Sequence, residues 1–368
     1  MSLRPTAFAL CGLAAVGLAA CDTADGPSAA PETATGVFDA ALFPDADQLI
    51  ATSNRPDALD KDRVVRYRSP DALDRGATFF RERDYDVVSF QQSKFVEQRS
   101  EYYATFDIAT GTGGRIARFD QRGNQLAVND DVLIDPKGFD YVATIGDVIV
   151  VADVASSAPL VFDATTLELL GPLDPGSAPA WDVHFDTVSG GTFVAQTNGT
   201  VAVYDPGLFF YEDFQVLDAN GAPAINNHGI TIDTDPFSLF ASLVVSDVGS
   251  AASATDGALS VINYDFSGDG SPRQARATYA GANTMLGNPV DIAGSGNDVF
   301  VAEKANGGGR VMRFANVLEA TGTLDVAPAT MAGLANPESV DTIAPPQEAG
   351  LPEPPVRQAE ASKAFWKK

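Results

Sequence analysis

An all-β fold, a six-bladed β-propeller closed by pairing its N- and C-terminal strands, is predicted by three observations. The chain of 368 residues carries 33 Gly, 23 Pro and 22 Phe; Gly and Pro punctuate a chain, and aromatics suit half-buried strands. A phrase of alternating apolar residues ending in an aromatic recurs six times at steps of roughly fifty residues, the span of a propeller blade. Finally, the first copy lacks an opening strand, and the end of the repeat region supplies one with nothing after it.

The recurring phrase runs Arg63 to Tyr67, Arg115 to Asp120, Leu160 to Asp163, Val201 to Asp205, Leu259 to Asp265 and Arg310 to Phe314. A second phrase precedes each aromatic after the first: Tyr85-Asp86-Val87, Phe139-Asp140-Tyr141, Trp181-Asp182-Val183, His228-Gly229-Ile230 and Val290-Asp291-Ile292. Between them lies a short β-branched or aromatic run, usually closing on an acid: Tyr103 to Asp107, Val150 to Asp153, Phe193 to Gln196, Val244 to Asp247 and Phe300 to Glu303. Each run is short, apolar or alternating, and bounded by Gly, Asn or Asp, so each reads as a strand. Three strands and a less regular fourth make one blade. The first copy has Leu49 to Thr52 and Arg63 to Tyr67 but no opening strand, whereas Asn336 to Val340 echoes Asn288 to Ile292. Joining the two ends completes a sixth blade and removes exposed sheet edges.

Flanking segments divide the rest. Residues 1 to 20 form an export signal, with Arg4 ahead of an apolar run from Ala7 to Leu18. That run is too short to span a bilayer. Residues 21 to 36 are poor in large apolar side chains and read as a flexible tether. Residues 37 to 343 hold the repeats, and 344 to 368 form a Pro- and Glu-rich tail, read as mobile and ending in Phe365 and Trp366. With Cys11 inside the signal, the mature chain has no second cysteine for an internal disulfide, so packing must stabilise it. Acids outnumber bases 49 to 24, a formal charge of −25, which excludes unassisted nucleic-acid binding because phosphates would be repelled. The same excess suits work in high salt, where screening weakens self-repulsion.

Two stretches of the sequence carry motif-level resemblances. Leu18-Ala19-Ala20-Cys21 resembles the lipobox of bacterial lipoproteins. That resemblance implies cleavage before Cys21, its acylation, and a lipid-anchored place in the bacterial cell envelope, on the periplasmic face or the cell surface. Asn288 to Ile292 with Asp298 to Glu303, and Gly309-Arg310-Val311 with Phe314, resemble the NHL-type propeller repeat. This implies a fold but no single function, since such repeats serve scaffolds, sensors and enzymes alike.

First-strand acids Asp86, Asp140, Asp182 and Asp291 are expected to gather at one mouth of the central channel, with Asp107, Asp153, Asp247 and Glu303 in a wider ring. Two carboxylates about 7 Å apart repel by roughly 2 kcal/mol at an effective dielectric of 20, so such a ring needs partners. Lys304 and Arg310 are candidate counter-charges. Hard oxygen ligands would suit calcium or magnesium, with Asp86, Asp140, Asp182 and Asp291 as the metal set. The other reading is that each Asp accepts backbone N–H bonds and recurs because the blade recurs. His228, at the mouth of the fourth copy, and Glu303 join the four acids as candidate ligand-binding residues. His184 or His228 could act as a general base. Asp265 to Gly270 has the first half of a calcium loop but lacks its twelfth-position Glu, and reads as a hairpin turn.

Two functions follow. One is an envelope scaffold that holds a small ligand or an envelope protein at its acidic mouth. The other is a divalent-metal hydrolase similar to the gluconolactonase and regucalcin propellers, a resemblance that implies Asp182 and Asp291 as ligands with Asn227 or Asn288 nearby. Convergence of three or four oxygens on one point would favour the hydrolase; carboxylates satisfied by backbone amides would favour the scaffold.

Overall fold

A computed structural model describes residues 48–53, 63–68, 73, 76–81, 87–108, 113–234, 240–250, 253–343 and 366. The leader with Cys21, the tether, Asp86 and all of the tail except Trp366 lie outside the described residues.

Gly, Asn and Asp at the turns cut the chain into short strands. These are β1 (Gln48–Ser53), β2 (Arg63–Tyr67), β3 (Gly76–Arg81), β4 (Val87–Val96), β5 (Glu101–Ile108), β6 (Gly114–Phe119) and β7 (Gln125–Leu133). Next come β8 (Pro136–Val142), β9 (Val148–Asp153), β10 (Leu160–Asp163), β11 (Leu169–Pro172), β12 (Ala180–Phe185), β13 (Thr192–Gln196), β14 (Thr200–Tyr204) and β15 (Phe210–Leu217). The remainder are β16 (Asn227–Thr234), β17 (Ala241–Asp247), β18 (Ala258–Tyr264), β19 (Arg273–Ala280), β20 (Pro289–Ser295), β21 (Asp298–Glu303), β22 (Arg310–Phe314), β23 (Gly322–Leu324), β24 (Thr330–Gly333) and β25 (Pro337–Ile343).

The strands form antiparallel meanders in a propeller-like arrangement. Four-stranded sheets run β4 to β7, β8 to β11, and β20-β21-β22-β24. A nine-stranded sheet consists of the meanders β12–β15 and β16–β19, joined by a two-residue parallel contact between β15 and β19, with β23 added beside β19. A further sheet has the order β25-β1-β2-β3, in which Ala51 lies opposite Val340 and Ile50 opposite Asp341. The first strand of each meander packs beside the next: β4 by β8, β8 by β12, β12 by β16, β16 by β20, β20 by β25, and β25 by β4.

Middle strands are buried on both faces, which is why they read as continuous apolar runs rather than clean alternations. In β1, Leu49 and Ala51 face a core shared with Val290, Phe300 and Val340, while Ile50 faces one shared with Phe90, Phe106 and Ile343. The largest buried aromatics fill gaps between neighbouring meanders: Phe193, Phe214 and Tyr264 between β12–β15 and β16–β19, and Phe139 and Phe162 beside Tyr103 between β4–β7 and β8–β11. Each such side chain contributes about 1.5–3 kcal/mol by leaving water.

Asp265 to Gly270 connects β18 to β19 as a hairpin turn. Phe266, Gly268 and Gly270 hold positive φ angles of 51, 64 and 64°, and Asp265 and Asp269 pair with Arg273 at 3.3 and 3.2 Å. The tail reading is corrected at one residue. Trp366 is docked: its Nε1 donates to the Ser189 carbonyl at 2.8 Å, and its ring meets Tyr211 and Phe266 edge-on at 4.7 and 5.5 Å.

Candidate functional site

Side chains two apart on a strand share a face, so each inner strand offers two residues to the channel. The upper layer comprises Gln92, Gly138, Asp182, Asp291 and Ser339, which line one mouth, with Gly229 at the matching position of β16. The lower layer, two residues further on, comprises Lys94, Asp140, His184, Thr231, Ala293 and Asp341, which line the other mouth. The expectation that the acids share one level is therefore corrected: Asp182 and Asp291 lie in the upper layer, Asp140 in the lower. In β8 the upper position belongs to Gly138, because a Cβ there would overlap the Asp182 side chain. Gly229 is forced in the same way by the backbone of Asp291 and Ile292.

The acids bond laterally to the next inner strand. Asp140 Oδ2 accepts the Phe185 N–H at 2.8 Å, Asp182 Oδ2 that of Ile230 at 3.1 Å, and Asp291 Oδ2 that of Val340 at 3.0 Å. Asp140 Oδ1 and Asp291 Oδ1 also take the N–H of Tyr141 and Ile292 at 2.8 Å each. Asp341 Oδ2 accepts Phe95 N–H at 3.1 Å, Gln92 Oε1 accepts Phe139 N–H at 2.6 Å, and Ser339 Oγ accepts Ser93 N–H at 3.3 Å. These bonds tie strand to strand around the channel where no sheet ladder can.

Gln92, Lys94 and Asp341 were not singled out from the sequence. Gln92 Nε2 bridges Asp182 Oδ1 at 3.0 Å and Asp291 Oδ2 at 3.4 Å. Lys94 Nζ lies 3.5 Å from Asp140 Oδ2 and donates to the Val183 carbonyl at 3.3 Å. Burial alone would lower the Lys94 pKa, but the carboxylates of Asp140, Asp182, Asp341 and Asp291 outweigh it and hold the ammonium above the ordinary lysine range. Burial pushes the Asp182 carboxyl up and the Asp291 carboxyl well up, against the opposing pull of Lys94 and backbone N–H groups. Lys94 is thus the counter-charge of the channel. Lys304 instead pairs with Glu338 at 2.6 Å, and Arg310 donates to the Asn306 carbonyl at 2.9 Å while lying against the sulfurs of Met285 and Met331.

The second-strand acids cap turns. Asp153 accepts N–H bonds from Ile134, Asp135 and Ala155 at 2.8, 3.0 and 3.0 Å. Asp247 accepts those of Ile225, Asn226 and Gly249, and Glu303 those of Gly287, Asn288, Ala305 and Asn306. Asp107 accepts Gln91 Nε2 at 2.8 Å, and burial raises its carboxyl to about 6. Among the described residues no group of three His, Cys, Asp or Glu side chains is placed to hold a metal ion. Asn227 Nδ2 donates to the Thr200 carbonyl.

His228 stacks on Trp181 with ring centroids 3.4 Å apart, and Lys137 Nζ lies 5.5 Å above the same Trp181 ring. Burial, reinforced by Lys304 and Lys137, lowers its pKa well below the usual range, so the ring is neutral. His184 sits in the lower layer with Nδ1 3.9 Å from Asp140 Oδ2, and burial lowers its pKa too. His228 stacks on Trp181 and His184 lines the lower mouth, so the two histidines do not form a pair.

The mouths differ in room. The upper one encloses about 10 Å³, enough for one water; the lower one encloses about 210 Å³. Burial raises the Asp341 carboxyl, at the lower mouth, to about 7 against the usual value near 4. Its protonated form is favoured by folding, so stability falls as pH rises between about 4 and 7, and the whole penalty stands above 7. Asp341→Asn is expected to flatten that stretch of the stability profile and to gain stability at pH 8. Urea unfolding at pH 5 and pH 8 measures this, and an equal effect at both values contradicts it.

No family model matches the chain, and no curated protein is similar to it in sequence. Among solved structures it is similar to a chain of a nidogen/laminin complex (14% identity, covering 81% of this chain and 99% of that one, TM-score 0.53). It is also similar to a putative 6-phosphogluconolactonase from Bacteroides fragilis (10% identity, 82% and 99%, TM-score 0.51). A functionally unknown protein from Desulfotomaculum acetoxidans gives 9% identity, 82% and 86%, and a TM-score of 0.53. At such identities the likeness carries the fold, a β-propeller, and no activity.

Proposed function

We propose that this chain is a lipid-anchored β-propeller of a bacterial envelope, with six blades of NHL-like repeats, which works as a binding and interaction scaffold. Six blades are supported by the six inner strands that neighbour one another in sequence around the channel, and by the β1–β25 pairing. The lipid anchor is supported by Leu18 to Cys21, and it places the propeller outside the cytosol on a tether. One observation carries the scaffold over the hydrolase: Asp140, Asp182 and Asp291 spend their oxygens on backbone N–H groups of their own and the next strand. Carboxylates so committed hold blades together, whereas a divalent site needs several oxygens free to converge at about 2.3–2.6 Å. The upper mouth admits no more than a water, so a partner there lies across Trp181, Lys137, Lys304 and Glu338 rather than entering.

The test has two arms. Expressed with its leader in a bacterial host, the chain is expected in the membrane fraction, and Cys21→Ser in the soluble fraction; a Cys21→Ser protein that stays membrane-bound removes the lipid anchor. Calcium or magnesium at millimolar concentration is expected to leave the Tm of the full mature chain unchanged. A rise of several degrees that Asp182→Asn abolishes would replace the scaffold with the metal-dependent reading.

A further inference from the structure

The channel is blocked in its middle but open below. Lys94 and Gln92 plug it, and the lower mouth leaves a cavity of about 210 Å³ bounded by Lys94, Asp140, His184, Thr231, Ala293 and Asp341. That is smaller than the roughly 300–1,000 Å³ of sites for drug-sized ligands, so the occupant is a small solute. Its charge follows from a census of the walls. From β4 comes the Lys94 ammonium, from β8 Asp140, from β12 His184, and from β25 Asp341; β16 contributes Thr231, and β20 contributes Ile292, Ala293 and Gly294, none of them charged. Tyr141, also on the wall, spends its hydroxyl on Asp147. Behind this layer stand Asp182 and Asp291, Glu97 acts on Asp341 from just beyond the end of β4, and among the described residues Lys94 is the ammonium that Asp140, Asp182, Asp291 and Asp341 share.

On the wall of the cavity one ammonium faces two carboxyls, Asp140 and Asp341, which leaves it short of positive charge, and neutral His184 does not repair it. Asp341 is the group left over. Its Oδ2 accepts Phe95 N–H, and its Oδ1 has no hydrogen-bond partner among the described residues. Asp140, by contrast, is bonded through both oxygens and paired with Lys94. Thr231 adds a hydroxyl to the wall.

We propose that the lower cavity is a binding site for a small organic cation, a primary ammonium, which pairs with Asp341. A charge-assisted hydrogen bond is about twice as strong as a neutral one, and the carboxyl must be ionised to make it. Binding therefore takes up the Asp341 carboxylate and releases a proton at neutral pH. This site is on the opposite mouth from the partner surface proposed above, and it stands or falls separately.

Calorimetry on the full mature chain tests it with 1,4-diaminobutane and ethanolamine as probes, 1,4-butanediol as the uncharged control and succinate as the anionic one. Both amines are expected to bind and to raise the Tm at pH 8. Binding should weaken at least tenfold at pH 5, and the heat at pH 7 should depend on the ionisation enthalpy of the buffer. Asp341→Asn should weaken binding at least tenfold, and Ala293→Leu should abolish it by filling the cavity with every charge left in place. If one variant fails to fold, the other still decides. Stabilisation by succinate in place of the amines would make Lys94 the dominant group and overturn the proposal, as would undiminished amine binding in either variant or no amine binding to the unaltered chain.

Discussion

Replacing Lys94 by methionine is expected to cost about 3–5 kcal/mol of folding stability at pH 8, the usual penalty for breaking a buried charge group by removing one partner. The physical cause is local. Lys94 Nζ is the shared counter-charge of Asp140, Asp182, Asp291 and Asp341, and methionine fills the same volume without offsetting any of them. The loss must depend on pH in a definite direction. Without the ammonium, the carboxyls of Asp182, Asp291 and Asp341, which burial already raises, move further above their unfolded values near 4. Folding then favours their protonated forms, so the variant loses stability as pH rises above about 4, more steeply than the parent. Urea unfolding at pH 5 and pH 8 should show a deficit at least twice as large at the higher value. A loss of equal size at both would mean that Lys94 contributes packing alone.

Ending the chain after residue 336 is expected to abolish cooperative folding, whereas ending it after residue 343 should leave the fold intact. The seven residues of β25 pair with β1 along its length. They also place Val340, 1% exposed, and Ile343, 8% exposed, in the cores on either side of β1. Two buried aliphatic side chains are worth about 3–6 kcal/mol by area alone. The larger effect comes from opening two inter-sheet cores and baring β1 as an edge that invites association. The Asp291–Val340 and Asp341–Phe95 bonds and the Thr52–Ser339 hydroxyl contact at 2.7 Å go as well. Circular dichroism and size-exclusion chromatography would separate the two truncations. A 1–336 chain that melts cooperatively at the parent temperature would show that the terminal strand is dispensable and would count against closure by β25. The chain ending at residue 343 also lacks Trp366 and its hydrogen bond to Ser189, so a small drop in Tm is expected for it.

Much of the blade pattern was legible in the sequence because each strand is a local object. Leu160 to Asp163 and Arg310 to Phe314 are strands as read, and the acids closing β9, β17 and β21 recur because each caps the same kind of turn with backbone N–H groups. The inner strands were read less well. The phrase Tyr85-Asp86-Val87 drew notice as the second copy's opening, yet Gln92 and Lys94, further along β4, do the work in the channel. That strand has ten residues and two register shifts, between Val87 and Ser89 and between Phe90 and Gln92. Bulges of this kind re-aim side chains, and no repeat phrase announces them. Asp341 was missed in a related way: the echo of Asn288 to Ile292 stops at Val340, and the acid that faces the cavity is the next residue.

Taken alone, the sequence determined the order of strands, the turns that end them, the acidic balance and the candidate lipid attachment at Cys21, since all of these depend on neighbours along the chain. Which carboxylates meet, and at what depth, was decided only by the tertiary structure. The period of two along a strand sends Asp182 and Asp140 to different layers for a shift of two residues, and that shift is set by what the next strand leaves room for: a glycine at 138, and no space above Gly229. The same packing carries one lysine into the midst of four acids drawn from four different strands, a juxtaposition that no spacing along the chain encodes.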